Sequence, residues 1–266
     1  MIVCDLGDAW QVVMQPDHAE LSGQLAARWG NGEFAAPQPL ASVHRASRRH
    51  DDGWAVWERS PQLDSSGAPC NFIGVHIPSH LAFWRAGAAA VEEEDPYAGL
   101  LVSMHGAGIY RMRYGTQPEM KMAFAGEVKD LVDAFVAEQE GSYDARRSTL
   151  GADEREVQVN YRLLQVFDRL SLAFCMSDAE TPGSATLAAV PRDYEGDETT
   201  LTIEAAGPFR ATLDPYPFPG EEAFALRRRV VPKGPWESGD AFREALFAVE
   251  PEVVGIAMAP ASVRSG

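Results

Sequence analysis

The sequence predicts a mainly α protein, in which a helical bundle follows a short N-terminal β-hairpin and precedes a mostly β subdomain. Two observations lead to this fold class. Before residue 180, apolar residues recur at three- and four-residue steps over long stretches, as on the buried face of a helix. After residue 181, short apolar runs are separated by Gly, Pro and Asp, as in strands joined by turns. We therefore expect a helical core over residues 1–180 and a β-rich subdomain packed on it over residues 181–266.

The elements of the helical half are delimited by residues that begin or end helices. The hairpin is predicted from the apolar runs 2–4 and 10–14, which flank a Gly-Asp turn. Residues 58–78 are rich in Pro, Gly, Ser and Asp and predict an irregular loop, whereas the apolar run 96–105 is typical of a strand. The predicted helices have a periodic apolar stripe or a Pro or Gly boundary, and they cover residues 16–29, 40–51, 79–88, 118–141 and 153–176.

The C-terminal half has the alternation and turn residues of β structure. Its single predicted helix covers residues 239–249. The predicted strands are β-type runs bounded by Gly, Pro or Asp, at residues 187–190, 199–205, 209–213, 224–231 and 253–258.

The charge of the chain limits its partners. The 266 residues include 39 acidic and 23 basic side chains, a formal net charge of -16. Such a surface repels polyanions, so we expect neither a nucleic-acid polymer nor an acidic membrane surface as partner. No run approaches the roughly 18 apolar residues of a membrane helix, the first residues do not resemble a secretory signal, and three cysteines lie far apart. These features predict a cytoplasmic protein.

Polar residues in apolar surroundings indicate where chemistry takes place. All six histidines lie within the first 105 residues, in the predicted helical half. Asp168 has Leu164 and Leu172 one helical turn away on either side, so its carboxylate should face the buried stripe. A buried carboxylate needs a cation, which can be a metal ion or an arginine such as Arg162 or Arg169. Each histidine taken singly also fits an ordinary buried position.

The order of these residues resembles the HD superfamily of metal-dependent phosphohydrolases, in which successive helices contribute a His, a His-Asp doublet and a distal Asp. Here the matching residues are His18, the doublet His50-Asp51 and Asp168. The additional His80 and His105 resemble the binuclear branch, which includes cyclic-nucleotide phosphodiesterases. The resemblance covers about residues 15–180 and implies an HD-like helical bundle.

The chain is also similar to a narrower, uncharacterised bacterial family of unknown function. The segments that carry this similarity are Gln15 to His18, His50 to Trp54, Pro96-Tyr97 and His105-Gly106.

The resemblance implies a site with two divalent metal ions. His18, His50, Asp51 and Asp168 would hold the first ion, with Asp51 bridging, and His80 and His105 would complete the second. Imidazole and carboxylate ligands suit Mn, Fe, Co, Ni or Zn better than Ca, and the sequence does not choose among them.

Four residues are candidates for catalysis. Asp51 would bridge the metals, Arg49 would hold the phosphate of a small anionic substrate, and Asp52 would support a ligand histidine or transfer protons. His44, just under two helical turns before His50, is a further candidate for contacting the substrate or transferring protons. The alternative interpretations are a solvent-exposed helix face for Arg49 and a turn residue for Asp52.

The resemblance predicts a metal-dependent hydrolase of a small phosphoester, such as a nucleotide or another phosphorylated metabolite. Two other functions are compatible with the same residues. Some relatives hold a mixed-valence pair of iron ions and oxidise their substrate with oxygen. A protein without enzymatic activity would retain the metal for stability and bind a ligand through its β subdomain.

Overall fold

The computed structural model describes residues 1–176 and 183–261, and it packs helices against one mixed β-sheet. The helices are α1 (Gln15–Arg28), α2 (Leu40–Arg49), α3 (Ala55–Glu58), α4 (Ile77–Glu94), α5 (Pro96–Ile109), α6 (Gly126–Glu140), α7 (Tyr143–Leu150), α8 (Glu154–Cys175) and α9 (Gly239–Ala248). The strands are β1 (Ile2–Asp5), β2 (Ala9–Val13), β3 (Ala185–Pro191), β4 (Glu198–Ala205), β5 (Arg210–Asp214), β6 (Glu222–Pro232) and β7 (Glu252–Pro260).

The seven strands form one curled sheet in the order β1-β2-β6-β7-β5-β4-β3. Strands β5 and β7 are parallel, and the other neighbours are antiparallel. The N-terminal hairpin is part of this sheet, because β2 pairs with β6 in a register that places Trp10 opposite Val231.

The prediction of a mainly α protein with a short separate hairpin is wrong. About half of the chain is helical, and the hairpin forms one edge of a large mixed sheet. The strands predicted after residue 181 agree with the observed sheet. The pattern of a strand shows that it has a buried face but not which distant strand it pairs with, so the pairing of β2 with β6 was not visible in the sequence. The division of the chain near residue 180 stays a prediction.

The main hydrophobic core lies between the sheet and the central helices. It contains Leu21 and Leu25 of α1, Phe167 of α8, and Leu201 and Leu226 from the sheet, all fully buried. Helix α9 packs on β6 in a smaller cluster through Phe242 and Leu246. Helices α1 and α8 are therefore fixed against each other and against the sheet. No helix of residues 1–176 and 183–261 is long and apolar enough to cross a membrane.

The apolar run 96–105 is a helix and not a strand. Asp95 caps α5 by accepting hydrogen bonds from the backbone N–H groups of Tyr97 and Ala98, at 3.1 and 3.0 Å. Residues 97–108 of this helix are all buried, so no alternation of polar and apolar residues marks its face. A run buried on every side cannot be assigned to helix or strand from periodicity alone.

Helix α4 touches the turn after the His50-Asp51 doublet through two glycines. A Cβ atom at Gly53 would lie 2.0 Å from the carbonyl oxygen of Phe83, and one at Gly87 would lie 3.0 Å from the amide nitrogen of Gly53. The close approach of these backbones leaves no room for a side chain. It fixes the chain immediately after the doublet.

We expect Gly53→Ala to lower the free energy of unfolding by about 3 kcal/mol, because a methyl group that meets a backbone carbonyl forces the two segments apart. Chemical denaturation measures the change. Gly220→Ala is the control, since a Cβ there meets nothing within 4 Å. Equal stability of the two variants would contradict the close packing of the turn.

Candidate metal centre

Four helices bring five polar side chains together in the interior. His18 lies in the first turn of α1, His50 and Asp51 directly follow α2, His105 is near the end of α5, and Asp168 is on α8. Their exposed fractions are only 1, 1, 5, 2 and 3%, respectively. These side chains are therefore almost completely removed from water, and each charge or lone pair needs a partner within the protein. We call this group the His/Asp cluster.

The side chain of His50 is fixed in one tautomer by its own helix. Its Nδ1 lies 2.8 Å from the carbonyl oxygen of Ser47, and a carbonyl can only accept a hydrogen bond. Nδ1 therefore carries the proton, and in the neutral ring Nε2 has a lone pair. That Nε2 lies 3.4 Å from Oδ2 of Asp51 and 3.7 Å from Oδ1 of Asp168. When the ring is neutral, the Nε2 lone pair therefore faces carboxylate oxygens, which are also hydrogen-bond acceptors.

His18 is fixed in the same way by Ser171. The Ser171 hydroxyl donates to the carbonyl oxygen of His18 at 2.9 Å, so its oxygen accepts from Nδ1 of His18, 2.7 Å away. Nε2 is then the nitrogen turned toward the cluster, 3.0 Å from Oδ1 of Asp168. Either a proton on Nε2 or another cation must lie between these two atoms, since two acceptors at 3.0 Å would repel each other.

The pKa values of the two carboxylates, Asp51 and Asp168, are shifted in opposite directions. Burial raises the pKa of Asp168, but Arg113, His18 and His50 outweigh burial and hold it well below the usual range. Burial raises the pKa of Asp51, and the charges of His50 and His18 offset only part of that effect. Asp168 is therefore a fixed negative charge, whereas Asp51 is the carboxylate that most needs a further cation.

The imidazoles differ from each other as well. Burial lowers the pKa of His50, but Asp51 and Asp168 outweigh it and raise the pKa to about 9. Burial and repulsion by His50 lower the pKa of His105 well below the ordinary value. With no metal bound, His50 is protonated and His105 is neutral. A metal ion would take the place of the His50 proton.

The donor atoms are close enough together to hold a metal ion. One group consists of His18, His50 and Asp168, and another of His50, Asp51 and His105; within each, the ligand atoms lie within 4.8 Å of one another. Three atoms of the cluster are buried without a hydrogen-bond partner in the described parts of the chain: His50 Nε2, Asp51 Oδ1 and His105 Nδ1. Imidazole nitrogens and carboxylate oxygens left in this state fit a first-row divalent ion.

His80, the sixth predicted metal ligand, is not in either group of donor atoms. Its Nδ1 is 2.8 Å from the hydroxyl of Tyr110, and its ring contacts Trp54 and Trp84 at centroid distances of 5.0 and 5.3 Å. Trp84 in turn contacts the ring of His105 at 5.3 Å. His80 is thus connected to the cluster through an aromatic ring. The position of His80 on the helix α4 directs its side chain toward Tyr110.

The predicted catalytic residues other than Asp51 lie around the doublet but are engaged elsewhere. Arg49 Nε donates to Asp52 at 2.6 Å, and its Nη1 is 2.5 Å from a carboxylate oxygen of Glu94. Both side chains of the Arg49–Asp52 pair are about one quarter exposed. His44 is half-buried, and burial followed by the charge of Arg48 lowers its pKa. Their catalytic roles stay predictions.

Two residues beside the cluster were not predicted from the sequence. Ser171, which holds His18, lies three residues after Asp168 on the same helix face, a spacing that the sequence displays. Arg113 Nη2 donates to Oδ2 of Asp168, the position for which Arg162 and Arg169 were the candidates. No sequence pattern marks Arg113, because it lies in an irregular segment between α5 and α6.

The structure defines a mixed α+β protein with a buried His/Asp cluster that can hold a metal ion. The chain belongs to the family described as "protein of unknown function (DUF3891)", whose model matches residues 1–233. That range contains all the residues of the cluster. Neither the curated proteins nor the solved structures contain a match to this chain.

The partly buried imidazole of His80 predicts a dependence of stability on pH. Burial lowers the pKa of His80 to about 4, from 6.5 in the unfolded chain. The unfolded state therefore takes up this proton first as the pH falls, and the folded state loses about 3 kcal/mol of stability between pH 7 and 4. Denaturation across this pH range should show that His80→Gln removes this part of the slope.

His76→Gln is the matched control for His80, because His76 is exposed at the beginning of the same helix. Its stability should follow the pH profile of the wild type. If His80→Gln also followed the wild-type profile, the lowered pKa of His80 in the folded state would be contradicted.

Proposed function

We propose that this protein is a metal-dependent hydrolase that cleaves a small phosphoester at the His/Asp cluster. The observation that carries the proposal is the orientation of the lone pairs. Nε2 of His50 is directed toward carboxylate oxygens at 3.4 and 3.7 Å, while its Nδ1 donates a hydrogen bond to a backbone carbonyl. A divalent ion satisfies all of these acceptors at once, whereas protons would satisfy them only in pairs.

The reaction class follows from the resemblance of the His, His-Asp and Asp order to HD phosphohydrolases. A bound divalent ion would polarise a phosphoryl oxygen and supply hydroxide at neutral pH. The protein would contribute His18 and His50, each oriented by the hydrogen bond that its Nδ1 donates. It would also contribute Asp51, whose Oδ1 has no hydrogen-bond partner among the described residues. Arg49 would contact substrate only after exchanging one of its two carboxylate partners, Asp52 or Glu94.

The arrangement favours one ion at the cluster as the first to bind. The two groups of donor atoms share His50, and His50 has only Nε2 free. One imidazole nitrogen binds one ion, so His50 cannot complete both groups simultaneously. A second ion, as the resemblance implies, would have to bind Nε2 of His80, because Nδ1 is hydrogen-bonded to Tyr110. Metal content at saturation distinguishes one ion from two.

Asp51→Asn tests the proposal directly. An amide keeps the shape of the carboxylate but supplies no negative charge, so we expect metal affinity to fall by more than about 10-fold. Hydrolysis of phosphomonoesters, phosphodiesters and nucleotides should fall with it. Isothermal titration with Mn²⁺ and Zn²⁺, together with metal analysis of the purified protein, measures the first effect.

Asp52→Asn is the matched control for metal binding, because Asp52 is the next residue and pairs with Arg49 outside the cluster. It should bind metal as the wild type does. Unchanged metal content in a folded Asp51→Asn variant would overturn the ligand set.

Ser171→Ala tests the residue that orients His18. Losing the acceptor for Nδ1 frees the ring to rotate and to change tautomer, so we expect metal affinity to fall by about 10- to 100-fold with no loss of a direct ligand. Ser103→Ala is the control, since Ser103 is equally buried but donates to Gln139. Equal metal affinity of the two variants would contradict the positioning role of Ser171.

A metal-stabilised protein without catalysis is the second candidate. The observation in its favour is the near-complete burial of the cluster, whose residues are only 1 to 5% exposed. Structural metal sites are closed, whereas catalytic sites keep a position open to water or substrate. A rise in melting temperature with metal, together with no turnover of any phosphoester in the panel, would support this candidate against the hydrolase.

A further inference from the structure

Arg113 places a guanidinium in the interior that the cluster uses only in part. Its side chain is 5% exposed, and Nη2 donates to Oδ2 of Asp168. Its Nε and Nη1 are buried without a hydrogen-bond partner in residues 1–176 and 183–261. A buried donor without a partner is destabilising, and more so when it is charged. The fold therefore maintains unsatisfied donors beside the candidate metal centre.

The backbone around Arg113 adopts an unfavourable, left-handed conformation. Met112, Arg113 and Tyr114 have φ values of 53°, 49° and 52°, in the left-handed region that residues with a Cβ rarely adopt. Each residue in this conformation destabilises the fold and persists only where the surrounding structure imposes it. The strain and the unsatisfied donors occur in the same residue. Neither is explained by the bond to Asp168 alone.

Further donors lie close to Arg113. Oγ1 of Thr116 lies 2.9 Å from the carbonyl oxygen of Arg113 and 2.8 Å from Oε1 of Gln165, which leaves the amide Nε2 of Gln165 buried and unpaired among the described residues. Arg169, half-buried, has its pKa lowered by burial and by the charge of Arg113. Gln165 and Arg169 both line a small cleft together with Thr116 and Gln117. In a chain of net charge -16, this is a local concentration of cations and N–H donors.

We propose that Arg113 is an anion-contacting residue, which uses its unpaired Nε–H group to bind a phosphate oxygen of the substrate at the His/Asp cluster. The inference rests on the proposed function, because it assigns the substrate's phosphate to that cluster. Guanidinium donors bind phosphate well, because phosphate offers more acceptor oxygens and a higher charge than a carboxylate.

The bond to Asp168 explains why arginine is required here. Asp168 Oδ1 faces His18, and its Oδ2 accepts from Arg113. This bond holds one edge of the planar guanidinium, so that the remaining N–H groups point in fixed directions. A lysine ammonium is a single point charge on a flexible stem, so it cannot hold Asp168 and direct a further N–H group along a fixed line at the same time.

Arg113→Lys tests the assignment, because it keeps the positive charge beside Asp168. Titration calorimetry with Mn²⁺ alone, and then with inorganic phosphate in the presence and absence of Mn²⁺, measures both steps. We expect Mn²⁺ affinity within about 3-fold of the wild type and phosphate affinity at least about 10-fold weaker, a change of about 1.4 kcal/mol. Arg85→Lys, on the exposed pair with Glu138, should change neither.

The outcomes separate this inference from the proposed function. Phosphate binding weakened in Arg113→Lys, with or without Mn²⁺, supports the assignment even if no phosphoester is hydrolysed. Unchanged phosphate affinity in a variant that still binds Mn²⁺ overturns it and leaves the hydrolase proposal standing. Acetate that binds the wild type as tightly as phosphate also overturns it, because the subsite would then be one for carboxylates.

A measurement on the wild type covers the case in which Arg113→Lys does not fold. The Nε–Hε resonance of Arg113 in a ¹⁵N-labelled sample should shift on addition of phosphate and stay in place on addition of acetate. A resonance that does not move at saturating phosphate, or a wild type that binds no phosphate, overturns the assignment.

Discussion

The interior of this protein depends on one feature: hydrogen-bond acceptors of buried histidines and carboxylates face each other at short distances. Nε2 of His18 and Nε2 of His50 are directed at the oxygens of Asp51 and Asp168, while the other nitrogen of each ring donates to Ser171 or to a backbone carbonyl. Lone pairs buried at these distances repel one another unless a cation lies between them. The packing of α1, α2, α5 and α8 therefore requires a positive charge at the point where the helices meet. Protons supply it when no metal is bound, and a divalent ion supplies it more completely.

The surroundings of the cluster follow from the same constraint. Asp168 is contacted from two sides, by Nε2 of His18 and by the guanidinium of Arg113, and these contacts stabilise its charge in spite of burial. The rings of His50, His105 and Trp84 contact one another in series, at centroid distances of 4.8 and 5.3 Å. The residues of the cluster are almost completely buried, and electrostatic interactions gain strength where water is excluded. The same exclusion of water makes the unsatisfied donors of Arg113 costly, which is why they point to a ligand.

Much of the cluster could be inferred from the sequence, because its residues stand out locally. A carboxylate on an apolar helix stripe and histidines confined to the helical half are visible without a structure, and the fold brings five of the six candidate metal ligands together. His80 differs because the phase of a helix decides which neighbour a side chain meets, and here that neighbour is Tyr110. Arg113 was missed for a different reason: its backbone adopts a conformation that no local pattern encodes, and its partner lies 55 residues away in the chain.

The sequence by itself determined where most helices and strands lie, which polar residues are placed among apolar ones, and that the chain is strongly acidic. These properties are local, since periodicity and turn residues act over a few positions. Only the tertiary structure decided that the N-terminal hairpin joins β6 in one mixed sheet, that the run 96–105 is a helix buried on all sides, and that Arg113 neutralises Asp168. Each of these depends on contacts between segments far apart in the chain. Such contacts are selected by the burial of the whole core and by the need to pair every buried charge.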